Sequence, residues 1–386
     1  MPSVLYIAEK IDMPEAFLLK GVHEAGWEVS IYLDPRDQYY ETLARSAFNV
    51  MPMELNKRFS KRAIREIRRY VKEHKPDIVH CLRERRAISN GLKAVRKTNI
   101  PLIGFENRVR SLHAWNWFAK STVLNPRVNK VVCVANTIRL SLEKEGVPRE
   151  RLITIYKGHD VHWYDRHEPA DFAEFEIPDG EFVVGCVANM RPHKGVDYLL
   201  QAIKYLPPQP RIHFLLVGRV LDERISDIAA TNRTLHQIHM PGFRTDASRL
   251  MGACDVFILP SLRHEGLPTA LLEAMSQAVP AIVTPIGGMK EIVEHRVSGR
   301  IVRPGDPQDI ARSITTFVKD RRYCYECGQH ARQRVREHFN IERTILQTLR
   351  LYDSLLNPKA ESDAAGPRDP LGPVGHPLGA PWAEPE

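Results

Sequence analysis

The segment DVFILPSLRHEGLPTALLEAM (255–275) decides the fold class. It predicts a short buried strand, a polar turn that carries Glu265 and Gly266, and a helix that begins near Pro268 and carries Glu273. Because no Ser, Thr, Asp or Asn immediately precedes Pro268 to cap this helix, its first backbone N–H groups are free and its positive dipole end faces the turn. The segment therefore predicts a site for an anionic group such as a phosphate, with Gly266 allowing close approach.

The same alternation of strand and helix extends through the rest of the chain. Short apolar runs alternate with amphipathic stretches of helix length, which is typical of parallel α/β layers. The strand candidates are SVLYIA, EVSIYL, DIVHCL, PLIGFE, KVVCVA and LITIYK in the first half, and FVVGCVAN, RIHFLLVG, IHMPGF, CDVFILP, PAIVTP and GRIVRP in the second. We predict an α/β protein with two Rossmann-like domains, whose parallel sheets present their ligand sites at a central cleft.

Composition places the boundaries of these domains. A polar stretch with two prolines, residues 159–181, separates the two series of strands. We therefore predict a first domain over 1–165, a second domain over 166–335 and a C-terminal helix over 336–356. Residues 357–386 are rich in Pro, Gly and Ala, and they bury too little apolar surface to offset their ordering entropy. We predict that this tail is disordered.

The bulk properties predict a cytoplasmic protein. Hydrophobic residues make up 43% of the 386 residues and charged residues 26%, and no apolar run approaches the ~20 residues that span a bilayer. The opening residues MPSVLYIAEK do not have the pattern of an export signal. Six scattered cysteines fit buried free thiols in a reducing compartment. Cys324 and Cys327 have CxxC spacing, but without a second ligand pair we interpret them as two thiols on one helix.

Positive charge is concentrated in the first half of the chain. Residues 1–165 carry 29 Lys and Arg against 19 Asp and Glu, whereas residues 166–386 carry 26 against 28. Much of the excess lies in KRFSKRAIREIRRYVKEHK (57–75), where Ile64, Ile67 and Val71 form an apolar stripe. This pattern fits a solvated surface helix, and it also fits a basic face against an anionic membrane or an acidic acceptor. No nucleic-acid-binding motif accompanies the charge, so we predict no nucleic-acid partner.

A second candidate site segment is VANMRPHKG (187–195). A strand ends near Asn189, and the loop that follows carries Arg191 and Lys194. Arg and Lys are natural partners of a diphosphate, Arg as a planar fork and Lys as a mobile point charge. An ordinary basic loop has the same composition, so the prediction of a phosphate site depends on the pairing with 255–275.

These segments in this order resemble the GT-B glycosyltransferases, in particular the retaining enzymes of glycosyltransferase family 4. The resemblance covers about residues 1–355 and is most specific over 183–305. Glu265 and Glu273, eight residues apart, match the paired-glutamate motif of that family, and MRPHKG (190–195) matches its phosphate loop. PGFRTDASRLMGACDVFILPS and TPIGGMKEIVEHRVSGRIVRPGDP match the segments before and after the paired glutamates.

The resemblance implies a role for individual residues. Glu273 would hold the ribose of the donor. Glu265, with the backbone amides of Gly266 and Leu267, would contact the transferred sugar and the distal phosphate, and Lys194 would neutralise the diphosphate. The nucleotide base would lie beside Gly218, Arg219, Gly242, Phe243 and Arg244.

The chain departs from the family pattern at three places. The usual Arg of the phosphate loop aligns with Asn189, and we take Arg191 as its substitute. The glycine-rich loop after the first strand is replaced by AEKID (8–12), where Lys10 is a candidate contact for the phosphate or the acceptor. The usual His after the strand PLIGFE is replaced on the acceptor side. The candidates there are Asn107, Arg108 and His113.

We predict a glycosyltransferase that moves a sugar from a nucleotide-diphosphate-sugar donor to a glycan, lipid-linked or cell-envelope acceptor, as in polysaccharide or lipopolysaccharide biosynthesis. The resemblance implies retention of configuration. No Asp-x-Asp motif is present, so we predict a metal-independent enzyme without a cofactor. The predicted catalytic residues are Glu265, Lys194, Arg191 and His113. The alternatives are a non-catalytic GT-B scaffold or activator and a nucleotide-sugar epimerase, while the lack of a GxGxxG after the first strand disfavours a dehydrogenase.

Overall fold

The computed structural model describes residues 1–83, 85–108, 122–165 and 170–358. In this part of the chain the first sheet has seven parallel strands in the order β3-β2-β1-β4-β5-β6-β7. They are β1 (Ser3–Ile7), β2 (Glu28–Leu33), β3 (Asn49–Pro52), β4 (Ile78–Cys81), β5 (Leu102–Glu106), β6 (Lys130–Cys133) and β7 (Leu152–Thr154). The helices that follow them are α1 (Met13–Glu24), α2 (Tyr40–Ala44), α3 (Lys61–His74), α4 (Arg85–Ala94) and α5 (Asn136–Lys144).

The second sheet has six parallel strands, in the order β10-β9-β8-β11-β12-β13, within the described residues. They are β8 (Phe182–Val187), β9 (Ile212–Val217), β10 (Gln237–Gly242), β11 (Val256–Leu259), β12 (Ala281–Val283) and β13 (Gly299–Ile301). Its helices are α6 (Val196–Ala202), α7 (Arg224–Ala230), α8 (Ala247–Gly252), α9 (Thr269–Ser276), α10 (Met289–Ile292) and α11 (Pro307–Lys319), followed by α12 (Arg321–His338) and α13 (Ile341–Leu356). The predicted pair of parallel α/β domains is confirmed.

The central strands of both sheets are covered on their two faces. Phe214 on β9 and Phe257 on β11 of the second sheet are 0% exposed, and so are Leu5 and Ile7 on β1 of the first sheet. Parallel strands need helices on both faces, and for this reason they read as nearly continuous apolar runs in the sequence. Polar residues therefore first appear where each strand ends, and these ends line the cleft.

The end of the chain differs from the single helix predicted over 336–356. α12 ends at His338, and Asn340 begins a new helix by accepting a hydrogen bond from the backbone N–H of Arg343 at 2.8 Å. α13 then packs against the first domain, where the Tyr352 hydroxyl lies 2.6 Å from the Tyr6 hydroxyl. The last helix thus belongs to the first domain by its contacts. The predicted disorder of the tail concerns residues that lie, apart from 357 and 358, outside the described part of the chain.

All six cysteines are buried and free, as expected from their apolar surroundings. Cys324 and Cys327 lie on α12, which agrees with the interpretation as two thiols on one helix. Burial raises the pKa of the Cys324 thiol to about 12, so this thiol is protonated and unreactive at neutral pH.

Among the described residues, no helix combines the length and the apolar character needed to cross a bilayer.

Candidate active site

The loops after β8 and β11 meet because these two strands are neighbours in the second sheet. The backbone N–H of Leu262 donates to the His193 carbonyl at 2.8 Å. Gly195 has a φ of +67°, and a Cβ there would lie 2.2 Å from the Pro260 carbonyl oxygen. Any other residue would therefore push the two loops apart. The two segments singled out in the sequence form one site.

Lys194 and Glu265 are in direct contact at this junction. The Lys194 Nζ lies 2.5 Å from Oε1 of Glu265, and the Ser261 hydroxyl donates to the same oxygen at 2.5 Å. Glu265 is 5% exposed, so its carboxylate is held by these two groups rather than by water. The lysine keeps further N–H groups that can donate to an anion. Sequence reasoning had not included Ser261, which holds Glu265 in place.

The helix after this turn begins without a side-chain cap, as predicted. Pro268 is the N-cap of α9, and it makes no side-chain hydrogen bond to the first turn. The free backbone N–H groups and the positive end of the helix dipole therefore face the space beside Lys194 and Glu265. Gly266 is packed so closely against the first domain that a Cβ there would lie 1.8 Å from the Asn107 carbonyl oxygen. The turn thus lies directly at the boundary between the two domains.

Glu273 faces the cleft from the first turns of α9. Its carboxyl group makes no hydrogen bond or ion pair with another described residue. Burial and the negative charge of Asp12, across the cleft, raise its pKa to about 7. A half-buried carboxyl group that no described donor satisfies is a candidate for binding ligand hydroxyls.

The first domain presents a charged cluster opposite Glu273. Lys157 Nζ lies 2.5 Å from Asp12 and 3.1 Å from Glu15, and Arg83 Nη1 lies 3.1 Å and 3.2 Å from the same two carboxylates. Burial raises the pKa of Asp12, but the charges of Lys157 and Arg83 outweigh it and lower the pKa overall. The sequence does signal part of this cluster, because Asp12 and Glu15 form a capping box at the start of α1. Lys157 and Arg83 carry no such local signal.

Arg219 and Phe243 lie together at the ends of β9 and β10. The Arg219 guanidinium carbon is 5.5 Å from the centre of the Phe243 ring, which is a cation–π distance. Phe243 is 63% exposed. The hydrogen bond from the Gly218 N–H to the Gly242 carbonyl, at 2.8 Å, joins the two strand ends. A flat, exposed pair of this kind is suited to stack with a nucleotide base.

Arg244 differs from the others on this side. Its guanidinium donates to Glu174 at 2.7 Å and to Asp246 at 2.8 Å, so two carboxylates already neutralise its charge. We therefore assign it to holding this loop in place rather than to a ligand. Asn189 and Arg191, in the loop after β8, are exposed at the rim of the site.

The acceptor-side candidates lie on the first domain. Lys10 lines a cavity of about 420 Å³ together with Glu9, Ile11, Arg36, Asp37, Gln38 and Arg83. Asn107 and Arg108 follow β5, and Asn107 touches the Gly266 turn as described above. The candidate His113 lies outside the described residues.

In the described part of the chain, no group of three His, Cys, Asp or Glu side chains has an arrangement that would hold a metal ion. The expectation of a metal-independent, cofactor-free reaction stays a prediction.

The stacking pair gives a first testable prediction. Phe243→Ala removes the exposed ring, and because base–aromatic stacking contributes roughly 1–3 kcal/mol per base, we expect donor nucleotide to bind about tenfold more weakly. Isothermal titration with a panel of nucleoside diphosphates measures this change. Tyr325→Ala is the matched control, since Tyr325 is an equally exposed aromatic residue on α12 (68% exposed). An unchanged Kd in the Phe243 variant would show that the base binds elsewhere.

Comparison with known proteins agrees with this architecture. The family model for "Glycosyltransferase Family 4" matches residues 17–188, and that for "Glycosyl transferases group 1" matches residues 167–334. Among solved structures, Anabaena HepE in complex with UDP superposes with a TM-score of 0.75 at 21% identity, covering 91% of this chain and 100% of that one. A glycosyltransferase from Rickettsia africae superposes with a TM-score of 0.80 at 19% identity, covering 92% and 99%.

Curated relatives share less of their length. An uncharacterised glycosyltransferase of Methanocaldococcus jannaschii is 24% identical over 57% of this chain and 60% of its own. The N-acetyl-alpha-D-glucosaminyl L-malate synthase of Bacillus anthracis is 26% identical over 54% and 55%. The match thus spans less than two thirds of these relatives. A UDP-Gal:alpha-D-GlcNAc-diphosphoundecaprenol alpha-1,3-galactosyltransferase of Escherichia coli is 26% identical over 74% of this chain and 78% of its own.

The two parallel sheets and the site between them define the GT-B class of glycosyltransferase folds. Together the two family models cover residues 17–334, and the chain belongs to the glycosyltransferases of family 4 type.

Proposed function

We propose that this protein transfers a sugar from a nucleotide-diphosphate-sugar donor to a hydroxyl group of a glycan or lipid-linked acceptor. The observation that carries the proposal is the junction of Lys194, Glu265 and the uncapped start of α9. This junction places a cation and free backbone N–H groups around one small space, while the Glu265 carboxylate lies at its edge. An anion with sugar hydroxyls attached matches both parts of the site.

The donor would lie along the second domain. The base stacks beside Arg219 and Phe243, and the ribose hydroxyls donate to Glu273. The diphosphate accepts hydrogen bonds from Lys194 and from the amides of Gly266 and Leu267. Sugar–phosphate cleavage leaves the bonding electrons on the diphosphate, and donors fixed in advance stabilise this charge as it develops. The described geometry supports this placement because all these groups lie at one edge of the second sheet. Arg219 and Phe243 follow β9 and β10, Lys194 follows the neighbouring β8, and Glu273 lies on the helix after β11.

The acceptor would approach from the first domain, whose Asn107 carbonyl already touches the Gly266 turn. A bond forms from the acceptor oxygen to the anomeric carbon as the bond to the phosphate breaks. We propose attack on the same face, so that configuration is retained and the departing phosphate accepts the acceptor proton. Two similar proteins support a nucleotide-sugar donor and a lipid-linked acceptor: the UDP-Gal:alpha-D-GlcNAc-diphosphoundecaprenol galactosyltransferase of Escherichia coli and the UDP complex of Anabaena HepE. UDP is therefore the nucleotide probe for the tests below.

A panel of nucleotide sugars tests this proposal. We expect the purified protein to release nucleotide slowly from one of them in the absence of acceptor, and faster when the acceptor is added. The measurement is coupled detection of the free nucleoside diphosphate. A folded protein that neither binds nor hydrolyses any member of the panel would contradict transferase activity and favour the non-catalytic scaffold.

We also propose that α3 holds the protein against an anionic membrane surface that carries the acceptor. Ala63, Ile67, Tyr70 and Val71 form its buried face, whereas the predicted stripe residue Ile64 is only half-buried. The opposite face carries a row of exposed basic side chains. They are Lys61, Arg62, Arg65, Arg68, Arg69 and Lys72. Such a row attracts anionic lipid by about 1 kcal/mol for each basic residue near the surface.

Vesicle flotation tests the membrane contact. We expect the protein to float with anionic vesicles at low salt, to stay behind with neutral vesicles, and to lose binding in the triple variant R65E/R69E/K72E because its charge is reversed. The matched control reverses three exposed arginines elsewhere, R322E/R336E/R350E. Failure of the unmodified protein to float with anionic vesicles at low salt would contradict the proposal.

A further inference from the structure

All the described side-chain hydrogen bonds of Glu291, a residue of the second domain, are made with the first domain. It lies on α10, and its Oε2 accepts from the Asn136 N–H at 2.8 Å and from the Tyr156 hydroxyl at 2.7 Å. Its Oε1 accepts from the N–H of Thr137 at 2.7 Å and from the hydroxyl of Thr137 at 2.5 Å. Two backbone and two side-chain donors of one domain thus surround a single carboxylate of the other.

The carboxylate of Glu291 satisfies a helix start in the first domain that has no side-chain cap of its own. α5 begins at Asn136, and its N-cap Ala135 has no side chain that can accept a hydrogen bond from the first turn. The first N–H groups of a helix have no partner inside the helix, and the positive end of its dipole favours an anion. Glu291 therefore caps α5 from across the domain boundary. When the domains separate, water replaces Glu291 as the partner of these N–H groups.

The same segment of the second domain supports the turn at residues 265–266, which we call the donor turn because the proposed sugar donor would bind there. The Gly288 N–H donates to the Gly266 carbonyl at 2.7 Å, and a Cβ at Gly287 would lie 2.4 Å from the Glu265 carbonyl oxygen. Gly288 is also close to the first domain, since a Cβ there would lie 2.9 Å from Cβ of Ala135. The turn 287–288 is thus packed between the backbone that presents the donor site and the start of α5. Glu291 is three residues away from it.

We propose that Glu291 is a positioning residue that fastens the donor turn of the second domain to the first domain in the closed cleft. The kinetic part of this inference depends on the proposed transferase function, whereas the domain contact does not. Glu291 touches neither donor nor acceptor. It acts through the turn 287–288, which fixes Glu265 and Gly266 relative to the acceptor face. Closure of this contact also keeps water away from the donor sugar.

Glu291→Gln tests the proposal because it keeps the shape and removes the acceptor at one of the two oxygen positions. The amide NH₂ would face N–H or O–H donors, so the hydrogen bonds that join Glu291 to the first domain would be broken. We expect kcat for transfer to fall by about tenfold or more, since a misplacement of reacting groups by about 1 Å can cost up to 10²-fold. The Kd for UDP should stay within about twofold, because no contact to nucleotide is removed. Hydrolysis of the donor should rise relative to transfer.

Two further variants separate positioning from general damage. Glu294→Gln is the matched control, because Glu294 lies three residues away and pairs with Arg334 within the second domain at 3.3 Å. Thr137→Val removes one donor to Glu291 from the first domain, and it should shift kcat in the same direction by a smaller factor. Combined with Glu291→Gln it should add little, since both changes break one contact.

A measurement without substrate distinguishes failure of this inference from failure of the proposed function. Small-angle X-ray scattering should give a larger radius of gyration for Glu291→Gln than for the unmodified protein and for Glu294→Gln. Equal radii of gyration in all three proteins would overturn the proposed role of Glu291 even if the protein is a transferase. UDP affinity that falls in parallel with kcat would overturn it as well, because Glu291 would then shape the donor site itself.

Discussion

Lys194→Ala should lower kcat/KM for transfer by about 10²–10³-fold, the loss that follows removal of one preorganised group that stabilises developing charge. Lys194 is the cation held 2.5 Å from Glu265 at the junction of the two loops. Without it, the proposed diphosphate site would retain, among the described residues, the backbone amides at the start of α9 and the exposed Arg191 at the rim. The effect should fall mainly on kcat, because the charge on the leaving group grows as the bond breaks. Steady-state kinetics with the active donor measures it.

Controls for this variant address charge and folding. Lys204→Ala removes a lysine of the same domain whose Nζ lies 4.9 Å from the Tyr205 ring, away from the site, and it should leave kcat unchanged. Lys194→Arg keeps the charge and should recover part of the activity. Since Lys194→Ala also leaves the buried Glu265 without its cation, circular dichroism should confirm that the variant is folded. A folded Lys194→Ala variant with unchanged kcat would remove Lys194 from the mechanism.

Glu273→Gln should weaken donor binding at pH 8 by about tenfold or more, since hydrogen bonds to a charged group contribute roughly 1.5–3 kcal/mol. In the proposed complex the ionised carboxylate accepts from both ribose hydroxyls, whereas the amide offers one oxygen. With a pKa of about 7, Glu273 is largely protonated at pH 6 and ionised at pH 8. The nucleotide-sugar donor should therefore bind the unmodified protein more tightly at pH 8 than at pH 6. Its affinity for Glu273→Gln should change little over this range.

The same variant should be more stable than the unmodified protein at alkaline pH. The pKa of Glu273 rises from 4.5 to about 7 on folding, so the folded state binds this proton more tightly than the unfolded state does. Its favourable contribution is complete below pH 4.5 and is lost as pH rises through 7. At pH 8 the penalty reaches about 3 kcal/mol, at 1.36 kcal/mol for each pKa unit. Glu273→Gln removes this penalty.

Thermal unfolding at two pH values measures the effect. We expect a melting temperature several degrees higher for Glu273→Gln at pH 8, and little difference at pH 4.5. Glu223→Gln, at an exposed position before α7, is the matched control and should change neither temperature. A Glu273 variant that is less stable at pH 8 would mean that the carboxylate has a stabilising partner, and the assignment to ribose would fail.

The sequence predicted those parts of the site in which charged residues or an uncapped helix start follow a buried strand. Glu265, Lys194 and the uncapped start of α9 all follow directly after buried strands, and neighbouring parallel strands end at the same edge of their sheet. Their location at one edge of the sheet could therefore be expected from the pattern of apolar runs, whereas their direct contact depends on the observed pairing of β8 with β11. The pairing of Arg219 with Phe243 follows from the same rule, because β9 and β10 are also neighbours.

The parts that were not predicted depend on contacts between residues far apart in the sequence. Lys157 reaches Asp12 within the first domain across 145 residues of sequence, and Glu291 reaches Thr137 across the domain boundary and 154 residues. No periodicity or motif links such positions, because their partners are set by tertiary packing. The break between α12 and α13 shows the opposite case. Asn340 is a local cap signal inside a continuous amphipathic pattern, and the pattern alone favoured one helix.

The most direct test of the diphosphate site is a crystal structure of the protein with bound UDP. We predict that β-phosphate oxygens lie within about 3 Å of Lys194 Nζ and of the Gly266 and Leu267 amides, a distance set by charge-assisted hydrogen bonding. The ribose hydroxyls should lie at Glu273, with the uracil beside Phe243. UDP bound with its phosphates away from both Lys194 and the start of α9 would contradict the site as described.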